Sequence, residues 1–222
     1  EDYVSSKPDI FPLGRDGSLR SNRFFGQMAG HYADMFVGAT LQIDPYGNSS
    51  TVTADRLAGV GGEPNFGAEN RSRRHLSEAF LKAGAEAHAG EYMPQGRKLV
   101  VQMVETFQGA NKPTFVERLE AWDAMKTAGF AVPPVMIYGD DVSHVVTEEG
   151  VANLLLCRTM EEREQAVRGV AGFTPVGLKR DRAVVANLRD RGIIQRAEDL
   201  GIRKTDVSRD RLAARSIHDL VR

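Results

Sequence analysis

What most constrains this chain is a series of short apolar, β-branched runs, each separated from the next by a Gly/Pro turn or a stretch with helical period. The clearest is Lys98-Leu99-Val100-Val101-Gln102-Met103-Val104, whose residue types fit a pleated, half-buried surface and predict a strand. Asp34 to Ile43, Val142 to Thr147 and Val151 to Leu156 read as further apolar runs, with Ser49 to Asp55 as a shorter one. Between them, Phe115, Leu119, Trp122 and Met125 recur at three- and four-residue spacing, which predicts a helix over 113–128 ended by Gly129. Phe24, Phe25, Met28, Ala29 and Tyr32 give the same pattern over 19–33. Thr159 followed three residues later by Glu162 is a capping box, so a helix should run from there to about Val170. Strands interleaved with helices predict the α/β class, an open sheet flanked by helices.

Both ends differ in character from the middle. Residues 1–18 read as extended and loop-rich, with Pro8 and Pro12 opposing a helix. Residues 179–222 are dense in Arg and Asp, and two amphipathic helices are expected there, Asp181 to Arg191 and Arg209 to Val221. The chain is therefore expected to divide into an α/β unit over 1–178, incomplete at its N-terminus, and a helical tail over 179–222.

Composition excludes several classes of function. The 29 basic and 30 acidic residues nearly cancel, unlike the basic excess of a general nucleic-acid binder. No apolar run approaches the roughly 20 residues of a membrane-spanning helix, and no signal-peptide pattern opens the chain. One cysteine, Cys157, cannot form an internal disulfide, which fits the reducing cytoplasm. The five histidines show no ligand spacing, so no metal site is expected.

The residues that offer chemistry fall into a few groups. In Gly59-Val60-Gly61-Gly62-Glu63-Pro64-Asn65-Phe66-Gly67, three glycines in four positions leave the backbone free to approach a ligand closely. Backbone N–H groups there suit a carbonyl oxygen that turns negative during acyl transfer. A tight connection with no ligand is the plain alternative, and Glu63 reads as a solvated turn residue. Glu148-Glu149-Gly150 ends an apolar run, where open α/β sheets carry functional groups, although a pair of solvated turn acids fits equally well. His144 reads as a partly buried strand residue and Cys157 as a packed thiol. Arg71, Arg73, Arg74 and His75 form a basic patch suited to phosphate oxygens or simply to solvent.

Several phrases together carry a resemblance. Gly38-Ala39-Thr40-Leu41-Gln42-Ile43-Asp44-Pro45-Tyr46-Gly47-Asn48, the Gly61-Gly62 loop and His144-Val145-Val146-Thr147-Glu148-Glu149-Gly150-Val151-Ala152 resemble the second half of the acyl-CoA transferase and hydrolase family. Arg20 to Arg23, Lys98 to Glu105, Val135 to Leu156 and Gly169 to Arg222 extend the likeness to nearly the whole chain, within the malonate decarboxylase α-subunit branch. The resemblance implies a CoA-transferase-like fold and a carrier-protein transferase. Malonate would replace acetate on the carrier's thioester, giving malonyl-carrier protein and acetate. It also implies a phosphoribosyl-dephospho-coenzyme A arm on the carrier, no cofactor bound covalently to this chain, and the carrier and other malonate decarboxylase subunits as partners.

By the same resemblance Gly62 supplies an oxyanion N–H, Asn22 matches an active-site asparagine, and Glu148 matches a glutamate in a Val-Thr-Glu motif. Gly61, Asn65, Arg73 and Arg74 are the expected substrate and cofactor contacts. Two departures stand out. The family's nucleophilic glutamate should precede the Asn22 segment, yet Glu1, Asp2, Asp9 and Asp16 sit in no matching motif. The chain is therefore expected to be a C-terminal portion lacking it. Glu63 also replaces the small or amide residue expected after the glycine pair. Two other functions compete: a non-catalytic module docking a carrier protein or CoA-like arm, and a transferase or hydrolase acting on free acyl-CoA.

Overall fold

The computed structural model describes residues 2, 6, 33–57, 66–67, 98–109 and 112–201. Within them the first apolar run does not remain one strand. Met35–Gly38 forms β1 and Gln42–Ile43 forms β2, and the two belong to different sheets. The second half of the run has other partners: Thr40 Oγ1 donates to Ser50 O at 2.8 Å, and Ile43 N–H donates to Thr114 O at 2.8 Å. Short hairpin strands follow as β3 (Ser49–Ser50), β4 (Val52–Thr53) and β5 (Arg56–Leu57). Then come β6 (Leu99–Met103), β7 (Phe107–Gln108), β8 (Lys112–Pro113), β9 (His144–Thr147), β10 (Gly150–Asn153) and β11 (Ile194–Gln195). The described helices are α1 (Ala121–Ala128), α2 (Met160–Val170), α3 (Pro175–Leu178) and α4 (Arg182–Asp190).

The main sheet has five strands in the order β1-β6-β9-β10-β11. β1, β6 and β9 run parallel, and β10 and β11 add antiparallel. Registers align Gly38, Gln102, Val145, Ala152 and Ile194 in one row across the sheet. Val145, Ala152 and Ile194 from that row join Ala166, Val167 and Val170 of α2 and Val185 and Leu188 of α4 in one buried cluster. Each of the Val, Leu and Ile side chains contributes roughly 1.5–3 kcal/mol on burial, which is what holds the helices to this face. A β-carbon at Gly150 would lie 2.3 Å from Gln195 O, so β11 can close against β10 only because position 150 has no side chain.

The N-terminal cap of α2 follows from its sequence. Thr159 Oγ1 accepts the Glu162 N–H at 3.2 Å, and the Glu162 carboxylate reaches back to the Arg158 N–H at 2.7 Å. Arg163, buried within α2, donates to the carbonyls of Leu154, Gly139 and Val142, tying the segments before β9 and after β10 to the helix.

The helix expected over 113–128 starts only at Ala121 and ends at Gly129 as read. Ile43 is the reason. It exchanges backbone hydrogen bonds with Thr114 and Val116, and Gln42 Oε1 accepts the Glu120 N–H at 2.9 Å. Phe115 and Leu119 are thus buried outside any helix. The first expected tail helix is α4, and it packs in the same core. β11, which was not anticipated, follows it. The second, Arg209 to Val221, lies outside the described residues, as does the expected helix over 19–33 apart from residue 33.

Candidate functional site

Because β1, β6 and β9 are parallel, their carboxyl ends share one edge of the sheet, the edge where open α/β sheets place ligands. At the end of β9, Thr147 Oγ1 donates to Val170 O at 2.7 Å and accepts the Glu149 N–H at 3.0 Å. One hydroxyl therefore pins the β9–β10 turn to the last residue of α2 and shapes the turn itself. The next side chain, Glu148, is exposed but not loose. Both its carboxylate oxygens lie 3.1 Å from the Thr106 N–H, and Thr106 Oγ1 donates to Oε1. Hydrogen bonds to an ionised acceptor are stronger than neutral ones, so Glu148 is well oriented.

Thr106 is itself fixed. It is buried, and its carbonyl accepts the Thr114 N–H at 2.9 Å. It reaches Glu148 because Val104 N–H bonds Val146 O at 2.9 Å, extending the β6–β9 pairing past β6. Gly172 closes the arrangement. Its φ is 61°, and a β-carbon there would stand 3.1 Å from Thr106 Cγ2 and 3.2 Å from Glu149 Cγ. Thr106 thus holds one carboxylate, in a turn that Gly172 packs against, and that carboxylate keeps acceptor capacity toward solvent. Such a group can orient a hydrogen-bond donor or take a proton from a bound ligand.

Of the residues read from the sequence, Glu148 falls in this arrangement, with Glu149 of the same acid pair beside it in the turn. Asn22, Gly61, Gly62, Asn65, Arg73 and Arg74 lie outside the described residues, as do Arg71, His75 and Glu63. Phe66 closely follows Asn65 and stacks on Phe36 of β1, with ring centroids 6.2 Å apart. Thr106 and Gly172 escaped the sequence reading. Thr106 was findable in principle, since it lies just beyond the clearest strand, but its partner depends on β6 lying beside β9.

The remaining candidates behave as structural groups. His144 opens β9, roughly 13 Å along the strand from Glu148. Its Nδ1 sits 3.0 Å from Ser143 Oγ, and burial pushes its pKa down. Burial pushes the Cys157 thiol up, away from the reactive thiolate. The Asp44-to-Asn48 phrase is a knot closed by Asp44 and tied to Gly139 N–H through Asn48 Oδ1 at 2.9 Å. Asp44 Oδ1 accepts the N–H groups of Tyr46 and Asn48 at 3.0 Å each, and Oδ2 accepts Asn48 Nδ2 at 2.9 Å. Among the described residues no group of three or more His, Cys, Asp or Glu side chains is placed to hold a metal ion. No described helix is long and apolar enough to cross a membrane.

Comparison with known proteins agrees with this architecture. The family described as malonate decarboxylase, alpha subunit, transporter matches residues 1–222. The acetyl-S-ACP:malonate ACP transferase of Malonomonas rubra is 55% identical over 99% of this chain. The crystal structure of a malonate decarboxylase α subunit from Acinetobacter baumannii superposes on all of it with a TM-score of 0.70 at 53% identity. A Pseudomonas malonate decarboxylase hetero-tetramer in complex with malonate contains a chain 55% identical, with a TM-score of 0.69. The chain spans 40% of the Malonomonas protein and 42% and 40% of the two crystallised chains. With the family matched from first residue to last, and the α/β sheet shared with its crystallised members, the chain belongs to the malonate decarboxylase α-subunit family.

Proposed function

We propose that this chain contributes part of the site of an acyl-carrier-protein transferase. In that reaction the acetyl–sulfur bond of acetyl-carrier protein breaks, a malonyl–sulfur bond forms on the same thiol, and acetate leaves. The observation that carries the reading is the clamped Glu148 carboxylate at the sheet's carboxyl edge, in a chain 55% identical to a named acetyl-S-ACP:malonate ACP transferase. Glu148, held by Thr106, would accept a hydrogen bond from an N–H or S–H donor of the bound carrier arm and so orient the thioester. Gly62 would offer its N–H to the thioester oxygen as negative charge develops, an interaction typically worth ~10²–10³ in rate. Gly61 and Asn65 would shape that loop, Asn22 would hydrogen-bond the substrate, and Arg73 and Arg74 would face phosphates of the carrier's phosphoribosyl-dephospho-coenzyme A arm. The partners in this reading are the carrier protein and the other malonate decarboxylase subunits, in the cytoplasm. Residues 1–178 would carry the transferase site, and 179–222, whose α4 and β11 pack in the same core, would serve those contacts.

The test is label transfer. The protein, expressed from its own gene, is incubated with acetyl-carrier protein and radiolabelled malonate, and label on the carrier is counted. Transfer by the wild type, reduced about 10²-fold or more by Gly62→Val with unchanged melting, is expected. A wild type that moves no label sinks the reading, and an undiminished Gly62→Val removes that loop from it.

A further inference from the structure

A concavity of about 390 Å³ lies along α4, and its lining carries Arg180, Arg182, Arg189 and Arg196 against a single acid, Asp190. Arg182, Ala186 and Arg189 succeed one another at four- and three-residue spacing, so they share one face of the helix. Val185, 6% exposed, roots that face in the core, while Ala186 leaves an open floor between the arginines.

The four cations are not equivalent. Arg189 is committed to Asp199, through Nε to Oδ2 at 2.9 Å and through Nη2 to Oδ1. Arg180 is oriented by the backbone, its Nη1 donating to Gly172 O at 3.2 Å and Gly177 O at 2.7 Å. Arg182 and Arg196 are exposed, and among the described residues their guanidinium groups have no hydrogen-bond partner. Like charges brought together around a hollow repel one another. Arg196 recovers part of that cost from the Asp199 carboxylate that Arg189 also holds, whereas among the described residues Arg182 has no ion-pair partner and Arg180 meets only neutral carbonyls. An anion in the hollow would offset the repulsion that remains.

We propose that this cleft is a binding site for a diphosphate- or phosphodiester-bearing ligand. Guanidinium forks match phosphate oxygens in pairs, and the concave shape suits a compact anion better than a flat acidic surface. The cleft also adjoins the Glu148 turn. Arg180 holds the carbonyl of Gly172, and Gly172 packs on Thr106 and Glu149. A phosphate-bearing arm seated here is therefore anchored next to the sheet edge, a consequence that rests on the function proposed above. The anion site itself rests only on the arginines.

Calorimetric titration separates the two. The wild-type protein is titrated at low salt with inorganic pyrophosphate, with 3′-dephospho-coenzyme A and with phosphate-free pantetheine. Pyrophosphate and dephospho-coenzyme A should bind, with affinity falling as KCl is raised, and pantetheine should not. Arg182→Gln combined with Arg196→Gln should weaken both by about tenfold or more, because each removes charge-assisted hydrogen bonds, and leave thermal melting unchanged. Binding of dephospho-coenzyme A without pyrophosphate would place recognition on the nucleoside and overturn the site. Absence of pyrophosphate binding, or equal affinity in the double variant, would also overturn it. So would a double variant that loses carrier-protein docking while binding pyrophosphate normally, since that assigns the arginines to an acidic protein surface. None of these readings requires turnover, so failure of the transfer reaction leaves them intact.

Discussion

Asp44 and Glu148 are both carboxylates at the end of a strand, and both lie in phrases that carry the family resemblance. Their surroundings differ sharply. Asp44 is buried, and its acceptors are taken by its own loop, through Tyr46 and Asn48. Burial is the largest influence on it and pushes its pKa up, with the Asn48 and Tyr46 hydrogen bonds pulling back. Glu148 is exposed and held by one buried residue, Thr106, just past the end of the adjacent strand. A carboxylate satisfied by its own loop organises folding, whereas one clamped from across the sheet with a face to solvent is available to a ligand. Position in a shared phrase does not separate these roles. Partners and exposure do.

The sharpest way to break the comparison is Asp44→Ala. It leaves the N–H groups of Tyr46 and Asn48 and the Asn48 amide without their acceptor, and should lower stability by about 3 kcal/mol in urea unfolding. A loss under about 0.5 kcal/mol would show that the knot does not organise the fold. Thr106→Val keeps the shape but removes the hydroxyl that donates to Glu148, so it should slow label transfer about tenfold with little change in melting. Thr106→Ser should restore the rate, and a shift in melting without a shift in rate would make Thr106 a packing residue only.

Removing a cap should cost less. Thr159→Ala deletes the acceptor of the Glu162 N–H and should lower stability by ~1 kcal/mol. The smallest effect concerns a third carboxylate, Glu162. The Arg191 guanidinium, then the Arg158 N–H, holds its carboxyl down at about 2 from the ordinary 4.5. A folded pKa below the unfolded one contributes stability that is complete above 4.5 and is lost as pH falls through 2. Arg191→Gln should therefore flatten the acid limb of the melting curve over that window and leave neutral pH nearly unchanged. An unaltered acid limb would assign the pairing no role in acid stability.

Much of this organisation is legible in the residues, but only where a few neighbours decide it. Lys98 to Val104 becomes β6 because its own side chains favour a pleated surface, and Thr159 with Glu162 starts α2 because the cap lies within one turn. Phe115 and Leu119 show where such reading stops. Their spacing fits a helix, but Ile43, far away in sequence, claims the backbone of Thr114 and Val116 first. The same holds at the site. Glu148 stands out as an acid ending an apolar run, while Thr106 and Gly172 join it only once β6 lies beside β9 and α2 crosses the sheet. β11 was hidden because its two residues form a strand only against β10.

The most direct test of the account is the rate at which label passes from malonate to acetyl-carrier protein with Glu148→Gln in place of the wild type. Glutamine keeps the size and removes the charge, so the variant should fold and melt as the wild type does while transferring label about 10²-fold more slowly. Equal rates in the two proteins would contradict the assignment of Glu148 to the site.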